Sequence, residues 1–202
     1  MAIAPPISRR DQLVEVAARL FSEHGYHGTS MQQLADGLGM LRGSLYAHID
    51  SKEDLLFEIV DRGADRFLGR LDEIVRSAGP TQEKLRSAVL AHVEIVGEQI
   101  EAATVFLNEW KFLSQPRRRS VERKREQYAS MMRSIIDEGI VVGTFAKDLD
   151  ARFATLHMLS TLNWLYQWYD PKGELTPMQV AEGFTSMLLN GFTGSYKKGR
   201  GA

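Results

Sequence analysis

The segment from Thr29 to Lys52 constrains the fold of this chain more than any other part of the sequence. Ser30 and Gln33 have the spacing of a capping box, and apolar residues follow them at helical intervals. Gly39 is placed to end this first helix in the left-handed conformation, and residues 40–49 predict a second short helix. Two short helices joined by a glycine turn are typical of a helix-turn-helix, although an ordinary pair of antiparallel helices has the same spacing.

The second short helix is expected to have one buried and one exposed face. Leu45 and Ile49 are spaced for one side of a helix and should pack inward. The exposed face then holds Arg42, Gly43, Ser44, Tyr46 and His48. Arginine binds guanine edges or phosphates, serine donates to either, and glycine lets a backbone approach a duplex closely. These residue types favour DNA binding over a structural hairpin, with simple packing as the alternative for Tyr46.

This segment also resembles a known family. The matching stretch is GYHGTSMQQLADGLGMLRGSLYAHIDSKEDL, which is similar to the DNA-binding segment of TetR-family transcriptional regulators. The resemblance implies that Thr29, Tyr46, His48 and Lys52 hold the phosphate backbone of double-stranded operator DNA. It also implies a homodimeric repressor with two recognition helices in successive major grooves, about one helical turn apart.

Composition and charge limit the function classes. The chain has 202 residues, no cysteine and 25% charged residues, and it lacks a long apolar run, so we expect a cytoplasmic protein without membrane contact. We also expect no cofactor, no metal site and no enzymatic activity, because no familiar catalytic motif is present. Residues 1–54 hold five basic residues against seven acidic ones, which argues against strong non-specific DNA binding. Specific binding by a few well-placed cations is compatible with this charge.

The rest of the sequence predicts an all-α fold of about nine helices. We expect an N-terminal three-helix head in residues 1–50 and a C-terminal ligand-binding and dimerisation domain in residues 51–202. A long helix that begins after Ser51 and continues to about residue 78 joins the two and is the expected lever between them. Later helices are predicted at 116–142, 151–169 and 177–191.

The helix at 151–169 is apolar almost all round, which predicts burial on two sides. One stripe of it combines aromatic rings with polar tips, as the wall of a ligand pocket does. The residues predicted to line this pocket, with ordinary core as the alternative, are His157, Thr161, Trp164, Trp168, Phe106, Trp110, Tyr128 and Met131. The residues predicted to face a partner subunit are Leu162, Leu165, Phe184, Met187 and Leu188.

The C-terminal half resembles the acyl-CoA-responsive branch of the same family. The similar stretches are FLNEWKFLSQPRRRSVERKREQY, GTFAKDLDARF and LNWLYQWYDPKGELTPMQV. The resemblance implies an interface between subunits built from the last two helices, and an acyl-CoA as the small-molecule effector. Arg117 and Arg123 would then bind the phosphates of coenzyme A, because guanidinium groups suit phosphate. The alternatives are a solvated basic face, a second contact to DNA, or a regulator of another hydrophobic molecule without a CoA group.

Overall fold

The structure is a computed structural model that describes residues 8–194. These residues form nine α-helices and two short 3-10 helices, and none of them lies in a strand. The α-helices are α1 (Arg9–His24), α2 (Met31–Gly37), α3 (Arg42–Leu45), α4 (Lys52–Arg76), α5 (Thr81–Glu98), α6 (Ile100–Asn108), α7 (Gln115–Val141), α8 (Ala151–Asn163) and α9 (Pro177–Thr193). The 3-10 helices are η1 (Trp110–Phe112) and η2 (Leu165–Gln167). The predicted all-α fold is confirmed.

The helix ends around the predicted helix-turn-helix follow from local chemistry. The Ser8 side chain accepts a hydrogen bond from the backbone N–H of Asp11 and begins α1. Ser30 and Gln33 form the predicted capping box at the start of α2. Gly39 has a φ of 62°, where a side chain is disfavoured, and this conformation turns the chain from α2 towards α3. The predictions for Ser30, Gln33 and Gly39 are confirmed, because each depends only on residues a few positions apart in the chain.

The described chain divides into two compact units. The head unit contains the residues up to 64 together with 99–122, and the second unit contains residues 65–98 together with those from 123 onward. Helices α4 and α7 each contribute residues to both units. The predicted domain boundary at residue 50 is not tested by this division, which also assigns the later segment 99–122 to the head unit.

In the head unit, α1 packs against α2 and α6, and α2 packs against α3. Its core contains Leu13, Phe21, Leu34 and Leu45, which are all almost completely buried. Helices α4 and α6 approach closely at Gly63, where an added Cβ would lie 3.3 Å from the Phe106 side chain. This tight packing joins the middle of α4 to α6.

In the second unit, α5 packs against α8, η2 and α9. Its core includes the fully buried residues Val89, Met158, Leu162 and Leu165. Helix α8 ends at Asn163, earlier than the predicted residue 169, because the chain tightens into η2. None of the helices described here is both long and apolar enough to cross a membrane.

Candidate DNA-binding site and effector-binding region

The recognition segment, residues 40–49, presents the predicted exposed face. Leu45 is fully buried and Ile49 is 4% exposed, so these two side chains anchor the segment to the head unit. The exposed residues are Arg42, Gly43, Ser44, Tyr46 and His48. The predicted division into a buried and an exposed face is therefore confirmed, and the DNA contacts of the exposed residues stay predictions.

The predicted phosphate contact of the Thr29 side chain is wrong. Only 1% of Thr29 is exposed, and its hydroxyl donates to the backbone carbonyls of Leu20 and Gly25 at 3.1 and 3.0 Å. The side chain therefore links the end of α1 to the start of α2. A threonine that matches a DNA-contacting pattern can serve the geometry of the turn instead.

Lys52 is held against the turn between α1 and α2. Its Nζ donates to the backbone carbonyls of Tyr26 and Thr29 at 2.6 and 2.7 Å, and it lies 4.4 Å from the centre of the Tyr26 ring. Burial lowers the pKa of Lys52. An ammonium group has three N–H donors, so one remains for the predicted phosphate contact. That contact stays a prediction beside a structural role that the sequence pattern does not reveal.

An arginine of α1 fixes the end of the recognition segment. Arg10 donates to the backbone carbonyl of His48, and its Nε lies 2.6 Å from a carboxylate oxygen of Glu58 in α4. Arg62 extends this network, with distances of 2.5 Å to Glu58 and 2.7 Å to Asp11. Arg10, Glu58 and Arg62 line an open cleft of about 600 Å³ beside the recognition segment. Sequence analysis missed this network because its members lie far apart in the chain.

The residue that follows α6 supports the turn between α1 and α2 through a buried carboxylate. Glu109 is 6% exposed, and its Oε2 accepts a hydrogen bond from the backbone N–H of Tyr26 at 2.8 Å. Its Oε1 accepts a hydrogen bond from Nδ2 of Asn108 at 2.9 Å. The ring of Phe112 in η1 stacks on the Tyr26 ring, with centroids 6.2 Å apart. The segment 99–122 therefore stabilises the turn between α1 and α2, which leads into the helix-turn-helix.

Arg117 bonds to the start of α4. Its guanidinium contacts the Asp54 carboxylate, lies 3.7 Å from that of Glu53, and covers the Phe57 ring at 5.2 Å. Burial acts to raise the pKa of Asp54, but hydrogen bonds from Arg117 and Ser51 outweigh it and lower the pKa. An effector phosphate would therefore have to displace carboxylates from Arg117. The binding of CoA phosphates by Arg117 stays a prediction. The same holds for Arg123, which is exposed in the second unit.

The two predicted faces of α8 and η2 differ in burial from what the sequence suggests. Trp164 is 60% exposed and Trp168 is 48% exposed, so the core of the second unit does not enclose them. His157 is also exposed and Thr161 is half-buried. Both residues predicted to face a partner subunit here, Leu162 and Leu165, are instead fully buried in the core of the second unit. The predicted partner-facing role of Leu162 and Leu165 is therefore wrong, whereas the pocket role of the exposed face stays a prediction. The sequence shows two apolar faces without showing which one the rest of the chain covers.

Five large apolar side chains of the segment 151–168 and of α9 are exposed, and together they are called the apolar patch here. They are Phe153, Leu156, Trp164, Trp168 and Met187, of which Met187 is 74% exposed. Phe184 is half-buried and lies edge-on to Trp168 with centroids 6.0 Å apart, whereas Leu188 is buried. Exposed apolar side chains in this density are typical of an interaction surface. The interface role thus fits Met187 and Phe184, but not Leu188.

The remaining predicted pocket residues occupy both units. Phe106 is buried and Trp110 half-buried in the head unit, whereas Tyr128 and Met131 are half-buried in the second unit. The Tyr128 hydroxyl lies 3.0 Å from Nδ1 of His92, a core histidine that we had not placed in the pocket. Burial lowers the pKa of His92 to about 3, with the Leu162 backbone acting in the opposite direction. Burial also raises the pKa of Tyr128.

Known proteins resemble both parts of the chain. Residues 13–59 match the family described as bacterial regulatory proteins, tetR family, and residues 78–192 match the tetracyclin repressor-like C-terminal domain. The HTH-type transcriptional repressor KstR2 of Mycobacterium tuberculosis is 33% identical, over 92% of this chain and 94% of its own.

Solved structures resemble the whole described fold. The ketosteroid transcriptional regulator KstR2 of Mycobacterium tuberculosis has a TM-score of 0.89 at 32% identity, over 95% of this chain and 98% of its own. AibR, in complex with isovaleryl coenzyme A and operator DNA, has a TM-score of 0.81 at 29% identity, over 90% of this chain and 98% of its own.

Proposed function

Because this chain belongs to the TetR family of bacterial regulatory proteins, we propose that it is a repressor released from its operator by an acyl-CoA-type effector. The chain is a DNA-binding transcriptional regulator and not an enzyme. The observation that carries the effector proposal is the likeness over most of the chain to AibR, which binds isovaleryl coenzyme A and operator DNA.

The DNA-binding half of the proposal rests on the exposed face of the recognition segment. Arg42 and Ser44 supply donors for base edges or phosphates, and Gly43 leaves the backbone open to a close approach. Arg10, itself paired with Glu58, holds the other end of the segment through the His48 carbonyl. The exposed side chains would therefore reach the major groove from a backbone of fixed position. A duplex carrying two half-sites about one helical turn apart is the expected target.

The homodimer in this proposal is built on the apolar patch of the second unit. Trp164, Trp168 and Met187 expose large apolar surfaces that a second copy of the chain would cover. A dimer also accounts for DNA binding by a head of low positive charge, because two heads double the number of specific contacts. We place this dimer in the cytoplasm, where operator DNA is accessible.

Release requires the effector to bind the two dimer geometries differently. Helix α4 starts beside the recognition segment. Within the head unit, Glu109 and Arg117 of the segment 99–122 contact the turn between α1 and α2 and the start of α4. A shift of α4 or of the segment 99–122 would therefore move the recognition segment. A second candidate effector is a hydrophobic molecule without a CoA group, which the pairing of Arg117 with two carboxylates favours.

A thermal-shift panel on the purified protein separates these effectors. The panel contains isovaleryl-CoA, octanoyl-CoA, free CoA and the matching free acids, each over a range of concentrations. A ligand that binds only the folded state raises the melting temperature with concentration. We expect the thioesters to raise it and the free acids to leave it unchanged. Equal shifts from thioesters and free acids would contradict the CoA part of the proposal.

Arg123→Ala provides a direct test of the phosphate contact. If Arg123 binds a CoA phosphate, this variant weakens the thermal shift caused by acyl-CoA. The matched control is Arg133→Ala, which removes another exposed arginine of α7 that is 3.4 Å from Asp137. Equal responses of the two variants would assign Arg123 to a solvated basic face.

A further inference from the structure

The core of the second unit contains a histidine with one unused nitrogen. His92 in α5 is only 2% exposed, and its Nδ1 lies 3.0 Å from the Tyr128 hydroxyl. Its Nε2 is buried without a hydrogen-bond partner among the described residues. The Phe67 ring covers this pair, with its centroid 4.8 Å from the imidazole and 5.6 Å from the phenol. A buried polar atom without a partner lowers stability, so its presence calls for an explanation.

The protonation state of His92 follows from its surroundings. Because burial lowers its pKa to about 3, the imidazole is neutral near pH 7, with one donor nitrogen and one acceptor nitrogen. A phenol is a good donor and the bare imidazole nitrogen a good acceptor, so the Tyr128 hydroxyl donates to Nδ1. The remaining proton of His92 then lies on Nε2. Nε2 is therefore an N–H donor. The Leu162 backbone acts to raise the pKa of His92, but no described group accepts a hydrogen bond from Nε2 within ordinary limits of distance and angle.

We propose that Nε2–H of His92 donates a hydrogen bond to the thioester carbonyl of the effector, with Tyr128 fixing the tautomer that makes this possible. This inference rests on the proposed function and names the group of the acyl-CoA that the second unit reads. An uncharged carbonyl suits the site, because a carboxylate or phosphate would lose its hydration beside Phe67 and a neutral imidazole. The site therefore selects a thioester over the corresponding free acid.

A pair of ligands that differ only at the carbonyl tests this inference. Isothermal titration calorimetry would compare isovaleryl-CoA with S-isopentyl-CoA, a thioether in which a methylene replaces the carbonyl, and octanoyl-CoA with S-octyl-CoA. For the wild-type protein we expect the thioester of each pair to bind about tenfold more tightly, as one hydrogen bond allows. His92→Phe should bind thioester and thioether equally.

Two further variants identify the role of the hydroxyl. Tyr128→Phe removes the hydrogen bond that keeps the proton of His92 on Nε2. This variant should therefore reduce the preference for the thioester without abolishing it. The matched control is Tyr169→Phe, which removes a buried hydroxyl of the same unit that has no hydrogen-bond partner among the described residues and should keep the full preference. His92→Phe combined with Tyr128→Phe removes both partners of the pair, which keeps the test available if the single change misfolds.

The outcomes separate this inference from the proposed function. If the wild-type protein binds thioester and thioether equally, the His92 contact is wrong while an acyl-CoA effector stands. An unchanged thioester preference in His92→Phe has the same meaning and assigns Nε2 to a trapped water or to the Leu162 carbonyl. If the wild-type protein binds none of the CoA ligands, the proposed effector fails together with the inference.

Discussion

Replacing Glu109 with glutamine tests how the segment 99–122 supports the DNA-reading helices. In the native protein both carboxylate oxygens accept hydrogen bonds, one from the Tyr26 N–H at 2.8 Å and one from Asn108 at 2.9 Å. Glutamine has only one oxygen, so its amide nitrogen would face a donor on one side. The side chain is 6% exposed, and water therefore cannot readily replace the lost contact.

The expected loss of stability follows from the kind of hydrogen bond removed. A hydrogen bond to a charged group contributes about 1.5–3 kcal/mol, against about 0.5–1.5 kcal/mol for a neutral one. Glu109→Gln converts one contact from charged to neutral and disrupts the second, while it relieves the desolvation of a buried charge. We expect a net loss of about 1–2 kcal/mol, which lowers the melting temperature of a chain of this length by about 2–8 °C.

Two measurements would check this prediction. Thermal unfolding followed by circular dichroism gives the change in melting temperature, and amide hydrogen exchange reports whether the Tyr26 N–H opens more often. The matched control is Glu101→Gln, an exposed position in the first turn of α6, the helix that ends just before Glu109, and it should leave both unchanged. If Glu109→Gln left the melting temperature and the Tyr26 exchange rate at wild-type values, the supporting role of Glu109 would be refuted.

Three further predictions follow from the site. Arg42→Ala should weaken operator binding by about 1–3 kcal/mol in fluorescence polarisation, if Arg42 binds a base, with no change in melting temperature. Trp164→Glu should give monomers in analytical ultracentrifugation at concentrations where the wild-type protein is dimeric; a stable dimer would place the interface elsewhere. The wild-type protein should lose roughly 1 kcal/mol of stability per pH unit between pH 6.5 and 3, because the unfolded chain takes up a proton that buried His92 refuses. Urea unfolding of His92→Phe should lack this component, and parallel pH profiles would contradict it.

The sequence was sufficient where structure depends on near neighbours. The capping box of Ser30, the glycine turn at Gly39 and the buried pair of Leu45 and Ile49 all involve residues a few positions apart. The spacing of Leu45 and Ile49 also identified which side chains are exposed on the recognition segment, whereas the family pattern assigned Thr29 to a phosphate contact. It could not show that Thr29 is buried, because a hydroxyl that caps a turn and one that binds phosphate look alike in a sequence.

The sequence was insufficient where distant segments decide the outcome. Glu109 and Tyr26 are 83 positions apart, and neither residue suggests the other as a partner. Helix α8 has large apolar side chains on two faces, and only the packing of α5 and α9 determines which of them is covered. Leu162 entered the core and Trp164 stayed at the surface, although a transfer scale of hydrophobicity favours burial of both.

The construction of the recognition segment has a consequence for the evolution of the protein. Helix α3 is only four residues long and is anchored from below by Leu45 and Ile49, while Arg10 fastens the backbone of His48 rather than its side chain. The outward side chains therefore have little part in folding. Exchanging those side chains changes operator recognition at little cost to the stability of the fold. The operator sequence that this regulator binds can therefore diverge faster in evolution than its effector specificity.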